Sequence, residues 1–380
     1  MRRKIGEFDD KFVTRLLWMI DSTPIRIIRA FSVSPLHSQA IYHAIAEAHT
    51  PDTPDTICLV QPAKPYICIG YHQDAQHELD LTRVADLGLE VIRRQVGGGA
   101  VYLDANQVFV QWIFSPNSLP RSIEARYQLF IEPIVATYQE LGIPAQMRPI
   151  NDIQVNGHKI GGCGAARIGN AEVLVSSFMF DIDLNTMASV LHVDTEKMRD
   201  KLYQNLQEYV TCITRELELP PEPERVLEIY LTKVSNLLER PILPTEYLTV
   251  DEHTQLIATE RTMSDENWTN GGGGRRIAGL TIKADVTMHH AVYKAAGGLI
   301  RWVLFLDGRE ILDASLEGDF TIYPLDAPLK LATAIIGEQL DLLLGDRWNH
   351  LYNEIIEDAP GISSDDLKQP LERIMTELTR

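Results

Sequence analysis

The chain has 380 residues, of which 45% are hydrophobic and 23% are charged, the composition of an ordinary soluble protein with roughly two domains. A net charge of −18 argues against nucleic-acid binding, which needs clustered lysine and arginine, and the absence of an apolar stretch near ~20 residues argues against a membrane span. The four cysteines show no C-x-x-C spacing, which argues against a zinc site or a disulfide scaffold and predicts a reducing, cytoplasmic location.

Taken in chain order, the pattern of apolar residues predicts a catalytic-size domain over residues 1–270. The stretch up to Ile28 mixes charged and apolar residues, which is typical of a short amphipathic helix and not of a secretory signal. The Asn156-Gly157 pair between β-prone residues predicts a hairpin. Strands are predicted over 25–34, 57–61, 66–70, 90–94, 108–114, 152–155, 159–160 and 173–183. Helices are predicted over 37–49, 79–87 and 122–141, and residues 186–262 are predicted to be mainly helical.

A second, smaller domain is predicted over residues 271–380. The run Gly271–Gly274 has the composition of a flexible linker, and no phosphate-loop pattern follows it. Strands are predicted beyond it over 277–283, 298–306 and 310–315, and an amphipathic helix over 328–344. The whole chain is therefore expected to be α+β, with a mixed or antiparallel sheet and helices in the first domain and a small α+β module at the C-terminal end.

The run from Arg93 to Tyr102, RRQVGGGAVY, is the strongest candidate for a binding site. Glycine lets the backbone take φ > 0 and approach a ligand closely, and arginines can fork onto a carboxylate or phosphate. The alternative is a flexible turn before a strand. A second element, Asn151-Asp152-Ile153 followed by Gly157–Gly162, favours the binding site because it places Lys159 after a hairpin turn, where its charge could meet a phosphate or carboxylate. A solvated surface lysine is the alternative there.

Other polar residues near these motifs allow two interpretations each. Asp152 could hold a divalent metal or part of a nucleotide, or cap a strand, and Asp104 and Asn106 allow the same pair of interpretations. Cys163 could be a nucleophile, but a nucleophilic cysteine needs a base or a depressed pKa. We interpret Cys163 as a small residue that permits close packing.

The motifs together resemble those of lipoate–protein ligases. The segment Arg93–Asp104 is similar to their R-R-x-[ST]-G-G-G-A-V-[YF]-H-D signature, and Asn151–Gly162 is similar to their lysine motif. Gly70–Asp74 resembles a G-x-x-Q-[ND] element upstream. Gly297–Ile300 with Leu316–Phe320 resembles the "G-G-x-I…G-D-F" pattern of the ligases' accessory domain. The resemblance covers residues 30–185 and extends to the C-terminal module, and it implies a biotin/lipoate ligase-like catalytic fold.

The resemblance implies an ATP-dependent enzyme that converts lipoate or octanoate to an acyl-AMP and passes the acyl group to a lysine of an acceptor. Lys159 would be catalytic, and Mg²⁺ bound with ATP would assist pyrophosphate departure. Acceptors would be lipoyl-domain proteins such as subunits of 2-oxoacid dehydrogenases or the glycine cleavage H protein. The implied ATP and acyl-AMP site consists of Arg94, Gly97, Gly98, Gly99, Ala100, Val101, Tyr102, Asp104, Asn106, Asn151, Asp152, Lys159, Gly162 and Cys163.

The chain departs from the family pattern at the ligand wall, which leaves the acyl group open. Val96 replaces Ser or Thr, Leu103 replaces His, and Cys163 stands where Ser or Ala is usual. The Asn of the family's Asp-x-Gly-Asn element corresponds either to Asn106 or to Gln107.

Three other functions remain open from the sequence. An octanoyl- or lipoyltransferase of the same fold would use no ATP and would need a cysteine a dozen residues before the lysine or three dozen after it, and the chain has none at either place. A biotin ligase fits the double-arginine and lysine motifs less well. A non-catalytic protein that binds lipoyl domains would be consistent with the changes at Val96 and Leu103.

Overall fold

The computed structural model describes residues 23–193, 195–244, 247–271 and 286–379. The strands are β1 Ile25–Val33, β2 Thr56–Pro62, β3 Tyr66–Ile69, β4 Glu90–Arg93, β5 Val101–Leu103, β6 Gln107–Phe114, β7 Ala145–Arg148, β8 Asp152–Val155, β9 His158–Gly162, β10 Gly164–Ile168, β11 Ala171–Met179, β12 Ile242–Pro244, β13 Val286–Ala295, β14 Gly298–Asp307 and β15 Glu310–Gly318. The α-helices are α1 Pro35–Glu47, α2 Ala75–Glu78, α3 Leu81–Asp86, α4 Ile123–Glu140, α5 Leu184–Val190, α6 Glu196–Tyr209, α7 Ile213–Glu216, α8 Pro223–Leu238, α9 Val250–Met263, α10 Glu266–Gly271, α11 Ala327–Ala334, α12 Leu340–Leu342, α13 Trp348–Ile355 and α14 Ser364–Leu378. Of the N-terminal stretch up to Ile28 in which a helix was predicted, residues 1–22 lie outside the described residues, and Ile25–Ile28 belong to β1. The linker glycines 272–274 and the strand predicted over 277–283 also lie outside them, whereas Gly271 ends α10.

The largest sheet within the described residues has six strands in the order β10-β11-β6-β2-β1-β12. Strand β1 runs parallel to β2 and β12, whereas β6 is antiparallel to β2 and β11. Two three-stranded sheets, β4-β3-β5 and β7-β8-β9, flank it. This mixture of sheets and helices confirms the predicted α+β class. No helix of the described ranges is both long enough and apolar enough to cross a membrane.

Helices cover both faces of the large sheet, so its central strand is buried at every position. Because side chains alternate between faces, Val110 and Trp112 pack against α4 and α8, while Phe109 and Ile113 pack toward α1. The indole Nε1 of Trp112 donates to the Tyr230 hydroxyl at 2.8 Å and so ties the sheet to α8. Alternation also places Gln107 and Gln111 on the face of Phe109, and the candidate site lies on that face.

The predicted hairpin at Asn156-Gly157 is confirmed. Both residues have positive φ, 50° and 90°, as a two-residue turn with this pair requires. The turn joins antiparallel β8 and β9 and brings Lys159 opposite Gln154, with a register shift between Ile153 and Gln154. A local sequence signal therefore fixes where Lys159 lies on the sheet.

The C-terminal residues form a separate antiparallel meander, β13-β14-β15, with its own hydrophobic core. Trp302 and Trp348, both fully buried, pack edge to face in that core at a centroid distance of 6.4 Å. A boundary between residues 270 and 271 adjoins a stretch outside the described residues and stays a prediction.

One predicted helix was wrong in extent. The helix expected over 328–344 ends at Ala334, because Gly337 takes φ +83° and its N–H donates to Ile311 O at 2.7 Å, which turns the chain back toward β15. The helix expected over 79–87 is confirmed as α3, Leu81–Asp86, which Asp80 caps by accepting from the N–H of Arg83; the short helix α2 before it was not predicted. Strands β5, β7, β10, β12 and β13 were also not predicted.

Candidate active site

One cavity of about 400 Å³ brings together most of the residues that the sequence singled out. Strands β6 and β11 form its floor, the glycine loop and β9 form its walls, and α1 and α6 contribute to its ends. The predicted residues that line it are Arg94, Gly97, Gly98, Gly99, Ala100, Val101, Tyr102, Asn151, Lys159, Gly162 and Cys163. Asp104, Asn106 and Asp152 lie outside this lining.

The glycine loop needs glycine for steric reasons, which contradicts its interpretation as a flexible turn. Gly98 has φ +98°. A Cβ on Gly97 would lie 2.4 Å from the Phe320 carbonyl oxygen, and a Cβ on Gly70 would lie 1.9 Å from the Gly98 carbonyl oxygen. The loop is therefore packed between β3 and the C-terminal residues, and its other side faces the cavity.

Both arginines beside the loop donate to backbone carbonyls. Arg94 Nη1 donates to Cys68 O at 3.2 Å, and its Nη2 donates to Gly97 O at 3.0 Å and Gly99 O at 2.9 Å. Arg93 is buried and donates to the carbonyls of Gly70, Tyr71, Gln73, Trp268 and Thr269. Burial lowers the pKa of Arg93 to about 10. The Arg94 guanidinium therefore holds the glycine loop through its carbonyl groups, whereas Arg93 joins the segment 70–73 to α10. Arg94 also lines the cavity, and its contact with a carboxylate or phosphate stays a prediction.

Lys159 lies at the cavity with a carboxylate beside it. Its Nζ is 2.6 Å from Asp152 Oδ1, and the side chains are 36% and 23% exposed. A Cβ on Gly162 would come within 3.0 Å of Lys159 Nζ, so the missing side chain leaves room for the lysine. The N–H of Thr211 donates to Lys159 O at 2.9 Å and holds the strand from its other side. The ammonium group is thus half-buried, oriented by Asp152 and accessible from the cavity.

Cys163 and Asn151 are joined by two hydrogen bonds that involve their backbone groups. Asn151 Nδ2 donates to Cys163 O at 2.6 Å, and Cys163 N donates to Asn151 O at 2.8 Å. The Cys163 thiol is 5% exposed, and burial raises its pKa to about 12 despite a hydrogen bond with Ser176. Burial of the thiol is consistent with the interpretation of Cys163 as a packing residue, which stays a prediction.

Asp104 and Asn106 form a turn between β5 and β6. The Asp104 carboxylate accepts from Asn106 N at 2.9 Å and from Asn106 Nδ2 at 3.2 Å. Burial raises the pKa of Asp104. Of the two positions left open for the family's asparagine, Gln107 lines the cavity and Asn106 does not.

Several cavity residues were missed by the sequence analysis: Gln39, Gln111, Ser176, Ser177 and Asp319. Gln107 and Gln111 interrupt the apolar sequence of β6 at positions that share one face, which is the signal that could have identified this floor. Asp319 comes from the C-terminal residues, and its long-range contact left no local signal.

A possible metal-binding group in the described ranges, Asp74, His77 and Glu317, lies outside this cavity. His77 Nδ1 is 2.9 Å from Glu317 Oε2, and this hydrogen bond raises the pKa of His77. Arg301 Nη1 lies 3.7 Å from the same oxygen and 3.1 Å from Glu78 Oε1. The Arg301 guanidinium already lies beside the Glu317 carboxylate, so the group is an ion-pair network that joins α2 to the C-terminal sheet.

A family model described as "Lipoyl protein ligase A/B catalytic domain" matches residues 34–235. The chain belongs to this family. Lipoate--protein ligase 1 of Staphylococcus aureus is 28% identical over 207 residues, which are 54% of this chain and 57% of that protein. Octanoyltransferase LipM of Brevibacillus brevis is 22% identical over 245 residues, 58% of this chain and 89% of that protein. Curated relatives of the chain thus include both ligases and transferases.

Solved structures of lipoate ligases share the fold. The bipartite lipoate protein ligase of Thermoplasma acidophilum, described with its E2 lipoyl domain, gives a TM-score of 0.60 at 23% identity over 66% of this chain and 97% of that chain. A lipoate-protein ligase A bound with ATP gives a TM-score of 0.56 at 20% identity and covers 66% of this chain and 99% of that chain. LipL1 of P. falciparum in complex with lipoate gives 0.67 at 14% identity and covers 94% of this chain and 100% of that chain.

Proposed function

We propose that the protein activates lipoate or octanoate with ATP as an acyl-AMP and transfers the acyl group to a lysine of a lipoyl-domain protein. The observation that carries this proposal is the meeting of the glycine loop and Lys159 at one cavity. A volume of about 400 Å³ is in the range of small-molecule sites. The ATP-bound and lipoate-bound structures with the same fold support the choice of substrates.

Lys159 would stabilise the charge that develops when the acid's carboxylate attacks the α-phosphate. A fixed cation at a cavity with restricted access to water acts on that charge more strongly than it would in bulk solvent. The Asp152 contact at 2.6 Å orients the ammonium group, and the side-chain-free backbone of Gly97–Gly99 lets phosphate oxygens approach the loop N–H groups. Because Asp152 already pairs with Lys159, Mg²⁺ would be held chiefly by the phosphate oxygens of ATP. Mg²⁺ would neutralise the departing pyrophosphate.

The cysteines argue against the transferase reaction that some relatives carry out. A thioester mechanism needs a thiolate, and burial raises the pKa of the Cys163 thiol to about 12, which disfavours the thiolate at neutral pH. Cys163 is the cavity's cysteine. Cys58, Cys68 and Cys212 are buried and do not line the cavity. The four reduced cysteines also fit our proposal of a cytoplasmic location.

Acceptor proteins would dock without help from overall charge. At a net charge of −18 the protein attracts no acidic partner over long range, so a local basic or apolar surface must provide the contact. The T. acidophilum ligase, described with its E2 lipoyl domain, supports lipoyl domains as the acceptor class, which includes 2-oxoacid dehydrogenase subunits and the glycine cleavage H protein.

The test is acylation of an apo lipoyl domain in the presence of lipoate and Mg²⁺, with and without ATP, read by intact mass. We expect an adduct only with ATP, and we expect Lys159→Ala to abolish it. Lys233→Ala is the matched control, because Lys233 makes a similar pair with Glu140 at 2.6 Å away from the cavity. An adduct formed from octanoyl acyl carrier protein without ATP would replace the ligase by the transferase. No adduct under any condition would leave a non-catalytic lipoyl-domain-binding protein.

A further inference from the structure

The C-terminal sheet brings an acidic and a basic side chain to the edge of the cavity. Asp319 follows β15 and lines the cavity, and its Oδ2 would lie 3.9 Å from a Cβ on Gly99. It is the only carboxylate among the described residues of the lining. Lys294 comes from β13; its Nζ lies 3.6 Å from Asp319 Oδ2, and its side chain is 64% exposed. The pair therefore lies beside the last glycine of the loop, with the ammonium group in contact with solvent.

The backbone of the C-terminal sheet fixes one oxygen of Asp319. The N–H of Leu299 donates to Asp319 Oδ1, and Asp319 N donates to Leu299 O at 3.3 Å. Lys294 is paired with Leu299 across β13 and β14, so both members of the pair lie next to the same residue. A Cβ on Gly318 would lie 1.9 Å from Leu299 O, and a Cβ on Gly298 would lie 2.8 Å from Asp319 Oδ1. The two glycine motifs of the C-terminal residues therefore hold the carboxylate in place, with its Oδ2 near Lys294.

The glycine loop connects the strands around Lys159 to this pair. Gly97 O would lie 3.2 Å from a Cβ on Gly164, which begins the strand after that of Lys159. Two residues after Gly97, Gly99 adjoins Asp319. A polyphosphate that lies along the loop with its α-phosphate near Lys159 therefore extends toward the pair.

The cavity itself offers a triphosphate little positive charge. Among its described lining residues the cationic side chains are Arg94 and Lys159. Arg94 donates to three carbonyl groups, and Lys159 Nζ is 2.6 Å from Asp152. Asp319 would repel a phosphate oxygen beside it unless a cation lay between them, because two negative charges at that distance repel each other. Lys294 is a cation within reach, since a lysine carries its ammonium group on a flexible four-carbon stem.

We propose that Lys294 binds the β- and γ-phosphates of ATP and that Asp319 positions its ammonium group beside the glycine loop. The inference rests on the proposed function, because it takes ATP as the ligand of that loop. As the acid's carboxylate oxygen bonds to the α-phosphorus, the bond from that phosphorus to the bridging oxygen breaks, and its electron pair leaves with pyrophosphate. Lys294 stabilises the charge that collects on this leaving group. Most exposed lysines are solvated; Lys294 differs because a carboxylate of the cavity lining, held by the backbone, accompanies it.

The experiment measures binding of ATP, AMP and inorganic pyrophosphate by calorimetry, at one Mg²⁺ concentration, to the whole chain and its variants. Lys294→Met keeps most of the stem and removes the charge. We expect it to weaken binding of ATP and pyrophosphate by about 5- to 10-fold, the effect of one charge-assisted hydrogen bond at an exposed site, and to leave AMP binding within about twofold of the wild type. Lys294→Arg should restore the affinities for ATP and pyrophosphate.

Lys330→Met is the matched control. Lys330 is also an exposed lysine of the C-terminal residues, but its partner Asp326, at 3.0 Å, does not line the cavity, so all three affinities should stay as in the wild type. Asp319→Asn keeps an oxygen for the N–H of Leu299 and removes the charge that positions Lys294. We expect about 3-fold weaker pyrophosphate binding in the wild-type background and no weakening in the Lys294→Met background, since a positioning residue acts through the group that it positions.

Wild-type affinities for ATP and pyrophosphate in the Lys294→Met protein would overturn the inference, while ATP-dependent labelling of a lipoyl domain by the wild-type protein would leave the proposed function standing. An equal loss of AMP affinity would show a general structural effect and would also refute it. A loss that occurs in Asp319→Asn alone and disappears without Mg²⁺ would show that Asp319 holds the metal instead. Selective loss of ATP and pyrophosphate binding in Lys294→Met, when the wild-type protein labels no lipoyl domain, would overturn only the ligase.

Discussion

The substitution Gly97→Ala tests the contact between the glycine loop and the C-terminal residues. A Cβ at Gly97 would lie 2.4 Å from Phe320 O and 2.6 Å from Thr321 Oγ1. Carbon and oxygen atoms normally keep about 3.4 Å or more apart, so the Phe320 backbone must move by about 1 Å. Phe320 also stacks on His72 at a centroid distance of 5.1 Å, and this contact would be disturbed as well.

Overpacking of this kind costs about 1–3 kcal/mol. At about 2–4 °C per kcal/mol for a unit of 150–250 residues, we expect the melting temperature of the Gly97→Ala protein to fall by roughly 2–12 °C. Gly99→Ala is the matched control in the same loop, because the nearest atoms to its added Cβ belong to Asp319 at 3.9 Å. Its melting temperature should stay within about 2 °C of the wild type. Equal melting temperatures for the two variants would refute the contact between Gly97 and Phe320.

Three further substitutions separate packing from chemistry. Cys163→Ala should keep ATP-dependent labelling within about threefold of the wild type, because the buried thiol is not a nucleophile; loss of labelling with wild-type stability would favour a thioester mechanism. Burial lowers the pKa of His43 to about 3. Between pH 6.5 and about 3, therefore, the imidazole takes up a proton in the unfolded chain but not in the folded protein. The free energy of unfolding falls over this range by up to about 1.4 kcal/mol per pH unit as the pH is lowered. His43→Gln should lose about 1.6 kcal/mol less than the wild type between pH 6.5 and 5 in urea unfolding, and parallel pH curves would contradict this. Glu172→Gln removes a carboxylate 2.7 Å from buried Arg126, and we expect about 3–5 kcal/mol of destabilisation; a loss below 1 kcal/mol would show that this ion pair is unimportant.

The parts of the site that could be predicted from the sequence depend on short local patterns. The Asn156-Gly157 turn fixes the β8–β9 hairpin and thereby the position of Lys159, since both turn residues need the positive φ that they adopt. The glycine loop was predicted as a wall of the site for a similar reason. Each of these patterns spans only a few neighbouring residues, so it can be identified in the sequence without knowledge of the tertiary structure.

The parts of the site that were not predicted depend on contacts between residues that are distant in the sequence. The guanidinium of Arg93 meets Trp268 and Thr269, which lie 175 and 176 residues away in sequence. Local sequence shows that an arginine is near a glycine loop but not whether its donors face a ligand or carbonyl groups. Gln111 was missed as a cavity residue for a similar reason, because its surroundings come from distant parts of the chain, among them Ser38, 73 residues away, whose carbonyl accepts from its amide.

The three consecutive glycines meet three different requirements. Gly97 has no side chain because the C-terminal backbone lies against it. Gly98 has none because its φ is +98° and because a Cβ there would lie 2.9 Å from the Arg94 guanidinium. Gly99 is under neither constraint, since the protein leaves 3.9 Å around a Cβ there. The reason for glycine at this third position must then come from the cavity side of the loop, where a side chain would occupy space that a ligand needs. The loop backbone lies against Phe320 at Gly97 and lines the cavity on its other side. A displacement of Gly97 from Phe320 therefore also moves the cavity wall that faces Lys159.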